Sequence, residues 1–285
     1  MSDSGKVVVI TGASGGIGAE VARQLGRHGH RVVLAARRQA ELQAVADDVV
    51  DSGGRAVPVA ADVTRRLDVE RLRDEALVAF GQVDVWINNA GRGITRPVLE
   101  LTDDDVDEIM AVNVKSALYG MQAIVPYFQG RGEGHLINVS SFLGRVPLAS
   151  ARSVYSAAKA ALNSLTANLR MDLRRDFPGI HVSLVMPGIV TTDFARNALG
   201  GLSPRPPAAM QGGTMAPQTT EEVGAMIAAL VDQPASELYT NPASREVLRR
   251  YLEDVDAFEE RLVGAAAAGA RPASALGSQR TGTPP

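Results

Sequence analysis

Two patterns of hydrophobic and polar positions alternate along most of the chain. Short apolar runs, typical of strands covered on both faces, are followed by longer segments whose apolar residues recur every three or four positions, as on one face of a helix. Strands are predicted at 7–10, 31–36, 55–61, 83–88, 134–140 and 180–186, and helices at 17–28, 39–52, 67–80, 103–128 and 153–177. This order predicts the α/β class, with a parallel sheet and helices on both of its faces.

The pattern changes after residue 193. Glycine and proline are frequent in residues 193–218, which predicts a long loop. Loops of this length in a compact domain are usually either functional or disordered. The Thr219 and Glu222 pair then has the spacing of a capping box, which predicts a further helix to about Asp232.

The C-terminal part of the chain is predicted to contain one more helix and a tail. Residues 244–262 carry apolar residues at helical spacing among charges, which predicts a helix packed on the core or on another subunit. Residues 264–285 are rich in alanine, glycine, proline and serine, and we expect a disordered tail. Residues 1–263 are therefore expected to form a single domain.

Composition narrows the classes of function. The 285 residues are 45% hydrophobic and 21% charged, with a net charge of −3, so nothing favours binding to nucleic acid or to an anionic membrane. The absence of cysteine excludes disulfides and thiolate chemistry, and the four histidines lack the spacing of metal ligands, so no metal is expected. No apolar run approaches the ~18 residues of a membrane span, and no signal-peptide pattern is present. A cytoplasmic protein is the expectation.

A glycine-rich turn follows the first predicted strand. Glycine is needed where the backbone approaches a ligand closely or adopts positive φ. The N–H groups at the start of the next helix, together with the helix dipole, favour an anion such as a pyrophosphate. The candidate phosphate-binding residues are Gly12, Ser14, Gly15, Gly16, Ile17 and Gly18. An ordinary tight turn is the alternative.

Four further polar residues are candidates for chemistry. Tyr155 and Lys159 are four positions apart, on one face of a predicted helix, and a nearby cation lowers the pKa of a phenol from its usual ~10. Ser141 ends the fifth strand, where its hydroxyl could hold the same substrate oxygen. Asn113 lies inside a long predicted helix and suggests a local break. The alternatives are a solvated helix face, a strand-end serine and a solvent-facing asparagine.

Together these motifs resemble the short-chain dehydrogenase/reductase family. Residues 11–18 are similar to its TGxxxGIG turn, residues 88–91 match its NNAG, and residues 187–192 are similar to its PGxVxT. The resemblance covers residues 6–193 and implies a Rossmann-type doubly wound sheet, a nicotinamide cofactor and hydride transfer between a carbonyl and an alcohol. The loop between Ser141 and Tyr155 is one residue longer than is usual in the family. The glycine spacing also fits longer, epimerase-like relatives, although NNAG and the modest length favour the short branch.

The resemblance also implies a role for each matching residue. Tyr155 would be the general acid and base, Lys159 would lower its pKa and bind the nicotinamide ribose, Ser141 would orient the substrate oxygen, and Asn113 would position a water. Residues 193–218 would be a substrate lid. The small-molecule substrate would be a carbonyl or alcohol compound, and a homodimer or homotetramer is expected. The other cofactor contacts implied are Asp62, Val63, Asn89, Ala90, Gly91, Pro187, Gly188, Ile189 and Thr192.

The end of the second strand bears on cofactor choice. An acid there would bind a ribose 2′-hydroxyl, but the sequence is Ala35-Ala36-Arg37-Arg38. A guanidinium can pair with a phosphate through two hydrogen bonds, so NADP is favoured, with the larger share expected from Arg37. If the arginines merely start a surface helix, an NAD-dependent dehydrogenase is the alternative. A second alternative is a catalytically silent, cofactor-binding sensor or scaffold. Such a protein would tolerate loss of the four candidate catalytic residues, and this chain keeps all four.

Overall fold

A computed structural model describes residues 5–194, 196–201 and 215–269, with the backbone alone for 265–269. The predicted lid therefore lies partly outside the described residues, at 195 and 202–214, as does most of the predicted tail, at 270–285. The strands are β1 Val7–Thr11, β2 Arg31–Ala36, β3 Arg55–Ala60, β4 Val85–Asn88, β5 Gly134–Val139, β6 Ile180–Met186 and β7 Glu237–Tyr239. The helices are α1 Gly16–Arg27, α2 Gln39–Asp51, α3 Arg66–Phe80, α4 Asp103–Met110, α5 Ser116–Arg131, α6 Ser153–Arg174, α7 Thr220–Asp232, α8 Ser244–Glu253 and α9 Val255–Gly269.

The described strands form one parallel sheet in the order β3-β2-β1-β4-β5-β6-β7. The order reverses between β1 and β4, and in such sheets ligands bind beyond the carboxyl ends of the strands at this point. The glycine-rich turn follows β1 and the NNAG sequence begins at the last residue of β4. The Rossmann-type doubly wound fold is confirmed.

Both faces of the sheet are covered. Val7 to Ile10 are fully buried, and successive β1 side chains point to opposite faces. Val8 and Ile10 pack in one apolar cluster with residues of α1, α2 and α7, whereas Val9 packs in a second cluster with residues of α3, α5 and α6. Burial on both faces explains why the strands read as continuous apolar runs.

A buried polar chain connects the middle of the sheet to α6. The Trp86 indole donates to Asn88 Oδ1 at 2.8 Å, and Asn88 Nδ2 donates to Asn138 Oδ1 at 2.8 Å. Asn138 Nδ2 then donates to Thr166 Oγ1 at 2.9 Å. Because every bond joins groups shielded from water, loss of one partner would leave another unsatisfied. The chain fixes β4, β5 and α6 relative to one another.

Several elements differ from the sequence prediction. The predicted 103–128 helix is interrupted by a π-helical turn at Ala111–Lys115, which matches the break suggested by Asn113, and it continues to Arg131. The predicted 244–262 helix is two helices, because Asp254 has extended backbone between α8 and α9. Helix α9 continues through Gly269, so residues 264–269 of the predicted tail are helical. Strand β7 was not predicted. Within the described residues, no helix combines the length and apolar character needed to cross a bilayer.

Candidate active site

Tyr155 and Lys159 lie one turn apart on the buried face of α6. Their side chains are only 8% and 3% exposed. Lys159 Nζ lies 5.7 Å from the centroid of the Tyr155 ring and donates to the carbonyl oxygen of Val139, at the end of β5, at 3.1 Å. The lysine is therefore held against both the strand end and the tyrosine.

Ser140 and Ser141 follow β5 and lie beside the same helix. The Ser141 hydroxyl forms a hydrogen bond with the Tyr155 phenol and accepts one from the Leu143 N–H at 3.2 Å. Ser140 Oγ instead donates to Asn163 Oδ1 at 2.5 Å. Of the two serines, the one assigned to the substrate oxygen is therefore the one next to the phenol.

Asn113 is held by the π-helical turn. Its Nδ2 donates to the carbonyl oxygens of Arg92 and Ile109 at 2.9 and 3.0 Å, and its Oδ1 accepts from the Arg92 N–H at 3.2 Å. An added Cβ at Gly91 would lie 3.0 Å from Asn113 Oδ1 and 3.6 Å from Lys159 Nζ. The NNAG loop, Asn113 and Lys159 thus meet, and the four residues predicted to be catalytic are brought together.

Burial dominates the electrostatics of this cluster. It raises the pKa of Tyr155 to about 12, which the Ser141 hydrogen bond and the nearby charge of Arg152 only partly offset. Burial also lowers the pKa of Lys159 to about 8. Burial therefore dominates the pKa of the phenol, and the groups that lower it are Ser141 and Arg152 where the sequence predicts Lys159. The phenol keeps its proton, which is the form that can donate to a carbonyl oxygen.

The glycine-rich turn packs directly on the end of β4. Gly12 has φ +69° and its N–H donates to the Ala35 carbonyl at 2.8 Å. Asn89 Nδ2 donates to the Thr11 and Gly12 carbonyls at 2.9 and 3.2 Å. An added Cβ at Gly12 would lie 2.8 Å from Ala90 Cα. Asn89 and Ala90 therefore support the turn, and both belong to the predicted cofactor site.

The turn leaves space where a dinucleotide pyrophosphate would bind. Gly15, the N-cap of α1, forms no side-chain capping hydrogen bond with the first N–H groups of the helix. Gly16 is exposed with φ +56°, and the nearest atom to an added Cβ is Thr192 Cγ2 at 3.8 Å. Helix N-termini of this kind bind phosphate. The residues present therefore fit a nicotinamide dinucleotide, with Ser14, Ile17 and Gly18 completing the turn.

The two arginines after β2 have different surroundings. Arg38 Nη2 donates to Ser14 Oγ at 3.0 Å and to the Ser14 carbonyl at 3.3 Å, so it lies on the glycine-rich turn. Arg37 is exposed and its charge acts on Asp62, whose pKa is lowered by hydrogen bonds from Thr64 and by Arg37, despite the opposing effect of burial. The Asp62 carboxylate accepts from Thr64 Oγ1 at 2.7 Å. Arg38 therefore contacts the turn, although the sequence predicts that Arg37 contributes more to binding a 2′-phosphate.

Gln218 fastens the Pro187–Gly188 segment in place, a role that sequence reasoning missed. Its N–H donates to the Ile189 carbonyl at 2.8 Å, and its carbonyl accepts from the Thr191 N–H at 2.9 Å. Its side chain exchanges hydrogen bonds with Thr240, whose Oγ1 donates to Gln218 Oε1 at 2.7 Å. We call this arrangement the Gln218 clasp. Thr192, just beyond the clasp, lies next to Gly16 of the glycine-rich turn, whereas the Ile189 side chain packs on the apolar cluster that contains Met215 and Val247.

Arg152 and Phe194 also adjoin Tyr155, and neither was predicted. The ring centroids of Tyr155 and Phe194 are 5.6 Å apart. Arg152 is the N-cap residue of α6, and its charge acts on the phenol. Its position three residues before Tyr155, on the same side of the helix start, is a signal that the sequence offers.

A cavity of about 590 Å³ lies apart from this cluster. It is lined by residues of α8 and α9, with Leu148 and Met215 on its other side. None of the residues predicted for catalysis or cofactor binding lines it. Among the described residues, no group of three or more His, Asp or Glu side chains is arranged to hold a metal ion.

Comparison with known proteins places the chain in a family. The family model described as short chain dehydrogenase matches residues 6–200. The oxidoreductase YxnA of Bacillus subtilis strain 168 is 36% identical over 202 residues, covering 70% of this chain and 56% of the Bacillus protein, so the match spans little more than half of that relative. The chain belongs to the short-chain dehydrogenase/reductase family.

Solved structures show the same fold. A short-chain dehydrogenase/reductase from Burkholderia phymatum, in complex with NAD, superposes with a TM-score of 0.79 at 27% identity, covering 90% of this chain and 96% of that one. An alcohol dehydrogenase from the archaeon Thermococcus sibiricus, complexed with 5-hydroxy-NADP, has a TM-score of 0.71 at 26% identity, covering 83% and 96%. Both kinds of nicotinamide dinucleotide are thus found in structures similar to this chain.

Proposed function

We propose that this chain is an NADP(H)-dependent oxidoreductase that interconverts a carbonyl compound and an alcohol, with Tyr155 as the general acid and base. The observation that carries the proposal is the meeting of the Tyr155 phenol, the Ser141 hydroxyl and the Lys159 ammonium at the carboxyl end of β5. A bound nicotinamide supplies or accepts the hydride. A catalytically silent sensor or scaffold would not need these three residues to lie together.

The residues divide the proton chemistry among them. In reduction, the Tyr155 hydroxyl donates its proton to the carbonyl oxygen as the alcohol forms, and the Ser141 hydroxyl holds that oxygen. The resulting phenolate is stabilised by the Ser141 hydrogen bond and by the Arg152 charge. The ammonium of Lys159, 5.7 Å from the centre of the ring, would add to this. Asn113 and Gly91 define the surroundings of Lys159, where the ribose of the cofactor would bind.

Two features support NADP over NAD. No acid stands at the end of β2, where Ala36 is the last strand residue. The Arg38 guanidinium already lies on the phosphate-binding turn through Ser14, so it is placed to pair with a 2′-phosphate. NAD remains the second candidate because Glu41 lies 3.5 Å from Arg38 and offsets part of its charge.

The proposed function is tested with Tyr155→Phe. The variant keeps the ring and its packing on Phe194 but removes the proton donor, so turnover should fall by roughly a hundred- to ten-thousandfold. The NADPH dissociation constant should stay within a few-fold of the wild type. The measurement is the nicotinamide absorbance with a panel of ketones, aldehydes and acyl thioesters, together with fluorescence titration of NADPH. Retention of most of kcat in the variant would refute the role of Tyr155, and a wild type that binds NADPH but reduces nothing would favour the sensor.

A further inference from the structure

Three arginines lie in or beside the loop that follows NNAG, and they differ in whether a carboxylate neutralises their charge. Arg92 is paired with Glu108, and Arg96 lies 3.2 Å from Asp105. Arg152 has no carboxylate within ion-pair distance among the described residues. The sequence of residues 202–214, outside that part of the chain, contains no Asp or Glu either. One guanidinium next to the proposed catalytic tyrosine is thus left without an acidic partner.

The backbone around Arg152 holds its guanidinium in place. Arg152 Nη1 donates to the Ile94 carbonyl at 3.1 Å. The Arg96 N–H donates to the Ala151 carbonyl at 2.8 Å, and Ser153 Oγ donates to the Arg96 carbonyl at 2.7 Å, so the two segments run side by side. The Ile94 carbonyl is uncharged and accepts from only one of the five guanidinium N–H groups. Among the described residues, the guanidinium therefore has no hydrogen bond to a charged group.

Gly93 is buried and packs directly against Arg152 and Phe194. An added Cβ at Gly93 would lie 2.8 Å from Arg152 Nη1 and 2.8 Å from Phe194 Cε1. Phe194 in turn packs on the Tyr155 ring. The Arg152 guanidinium and the Phe194 ring therefore meet at Gly93, next to the Tyr155 ring, and Ile94 beside them is fully buried.

Burial without a counter-ion is unfavourable for a cation. The pKa of Arg152 is lowered by burial, with the Tyr155 phenol as the neighbouring group that raises it. Guanidinium groups bind carboxylates through two parallel hydrogen bonds. A carboxylate arriving with the substrate would supply the missing negative charge and complete the set of ion pairs around this loop.

We propose that Arg152 binds a carboxylate of the substrate, and that the chain acts on short oxo acids and their hydroxy acids. This inference rests on the proposed function, because the carbonyl carbon is placed by Tyr155 and Ser141. The carboxylate binds at Arg152, a few bonds from the reacting carbon beside Tyr155. Phe194 covers the apolar part of the substrate between the two groups.

The test compares acids with their uncharged esters. Pyruvate, acetoacetate and levulinate place no, one or two methylene groups between carbonyl and carboxylate, and their methyl esters keep the carbonyl without the charge. For the preferred spacing, we expect wild-type kcat/KM with NADPH to be at least tenfold higher for the acid than for the ester. Equal or higher values for all three esters would overturn the proposal.

Variants then assign the preference to Arg152. Arg152→Gln should lower kcat/KM for the preferred acid by roughly ten- to a hundredfold more than for its ester, mainly through KM. The loss of the Arg152 charge near the phenol should affect both substrates alike. Arg152→Lys keeps the charge but loses the planar pair of donors. Its kcat/KM for the preferred acid should therefore lie between those of the wild type and Arg152→Gln. Arg175→Gln, an exposed arginine at the far end of α6, is the control and should change neither. Equal losses for acid and ester, with a shifted pH profile of kcat, would show that Arg152 acts only on Tyr155 and would overturn the proposal.

A binding measurement separates this inference from the proposed function. In Tyr155→Phe loaded with NADPH, the preferred acid should still bind in calorimetric titration, and its affinity should fall when Arg152→Gln is added. Arg152-dependent binding without any turnover by the wild type would retain the carboxylate site while refuting the proposed function. Equal binding with and without Arg152 would refute the carboxylate site alone.

Discussion

Ser140 and Ser141 are neighbours in the chain, but their hydroxyl groups bond to different partners. Ser140 Oγ donates to Asn163 Oδ1 inside the protein at 2.5 Å, whereas the Ser141 hydroxyl lies against the Tyr155 phenol. The extended backbone of Ser141 turns successive side chains to opposite sides. At the end of the same strand, the Ser140 hydroxyl therefore bonds inside the protein, and the Ser141 hydroxyl is the one placed beside the proposed catalytic tyrosine.

This division predicts opposite effects of two similar substitutions. Ser141→Ala removes a donor to the substrate oxygen and should lower kcat roughly a hundredfold, with little change in melting temperature. Ser140→Ala leaves Asn163 Oδ1 without its donor in a buried site, which should cost ~1–3 kcal/mol of stability and leave kcat within a few-fold. Steady-state kinetics and thermal unfolding of the pair check this. A larger loss of kcat in Ser140→Ala than in Ser141→Ala would reverse the assignment.

Cofactor preference should depend on Arg38 more than on Arg37. A charge-assisted hydrogen bond contributes ~1.5–3 kcal/mol, and each 1.4 kcal/mol is about tenfold in affinity. Arg38→Ala should therefore weaken NADPH binding by roughly ten- to a hundredfold, Arg37→Ala by less, and neither should change NADH binding appreciably. Because the attraction is between charges, the wild-type preference should shrink as salt is raised.

Fluorescence titration of both cofactors against the wild type and the two variants measures this preference. Ala36→Asp is a useful companion, since an acid there repels the phosphate and offers a partner to a free 2′-hydroxyl. It should shift the preference toward NADH. Equal weakening of NADPH and NADH in Arg38→Ala, or none, would make NAD the better assignment.

Two glycine-to-alanine substitutions should separate close packing from helix propensity. An added Cβ at Gly18 would overlap the Asn89 amide and lie 2.6 Å from the Gly12 carbonyl oxygen. Gly18→Ala should push the turn away from Asn89 and weaken cofactor binding at least tenfold. Gly130→Ala, in α5, meets nothing within 4 Å and should be neutral or stabilise by up to ~1 kcal/mol. Unchanged cofactor affinity in Gly18→Ala would show that the turn adapts.

His135 should make the fold sensitive to mild acid. It is buried, and burial together with the charges of His181 and Lys6 lowers its pKa from 6.5 to about 3. The unfolded chain therefore binds a proton below about pH 6.5 that the folded chain does not, so stability falls as the pH drops from about 6.5 toward 3. The slope from this group is up to ~1.4 kcal/mol per pH unit.

His135→Gln removes this titration and keeps a donor for Ser183 Oγ, which lies 2.8 Å from His135 Nε2. The variant should lose about 2 kcal/mol less than the wild type between pH 6.5 and pH 5 in urea unfolding. His28→Gln, at an exposed position, is the control. Parallel pH curves for the wild type and His135→Gln would contradict this account.

The sequence predicted best where local rules and burial agree. Val7 to Ile10 and the glycines after them form a strand and a turn for reasons contained in a dozen residues, and the structure keeps both. The break at Asn113 was also readable, because an asparagine side chain competes for backbone hydrogen bonds. Its amide does bond to the Ile109 carbonyl, inside the helix it interrupts.

Features that depend on distant partners were not readable. Glu237–Tyr239 is only three residues long, and it is a strand because β6 offers an edge to pair with. Asp254 separates two helices although the apolar spacing continues through it. The sequence does not show which of Arg37 and Arg38 contacts the glycine-rich turn. The structure does, because Arg38 donates a hydrogen bond to Ser14. Arg152 differs from Arg92 and Arg96 in having no carboxylate within ion-pair distance among the described residues, and no local pattern reveals this.

The Gln218 clasp has a consequence for how relatives of this chain can diverge. Gln218 is bonded to Thr191, and Leu199 forms backbone hydrogen bonds with Gly93 and Thr95, so the sequence between Leu199 and Gln218 is held to the domain at both ends. The entropy of closing a loop between fixed ends changes only slowly with its length. Changes in the length of the sequence between Leu199 and Gln218 would thus cost little closure entropy and would leave Thr192 and Phe194 beside the cofactor and tyrosine sites. We therefore expect related chains to differ in the length of this sequence while they keep its two points of attachment.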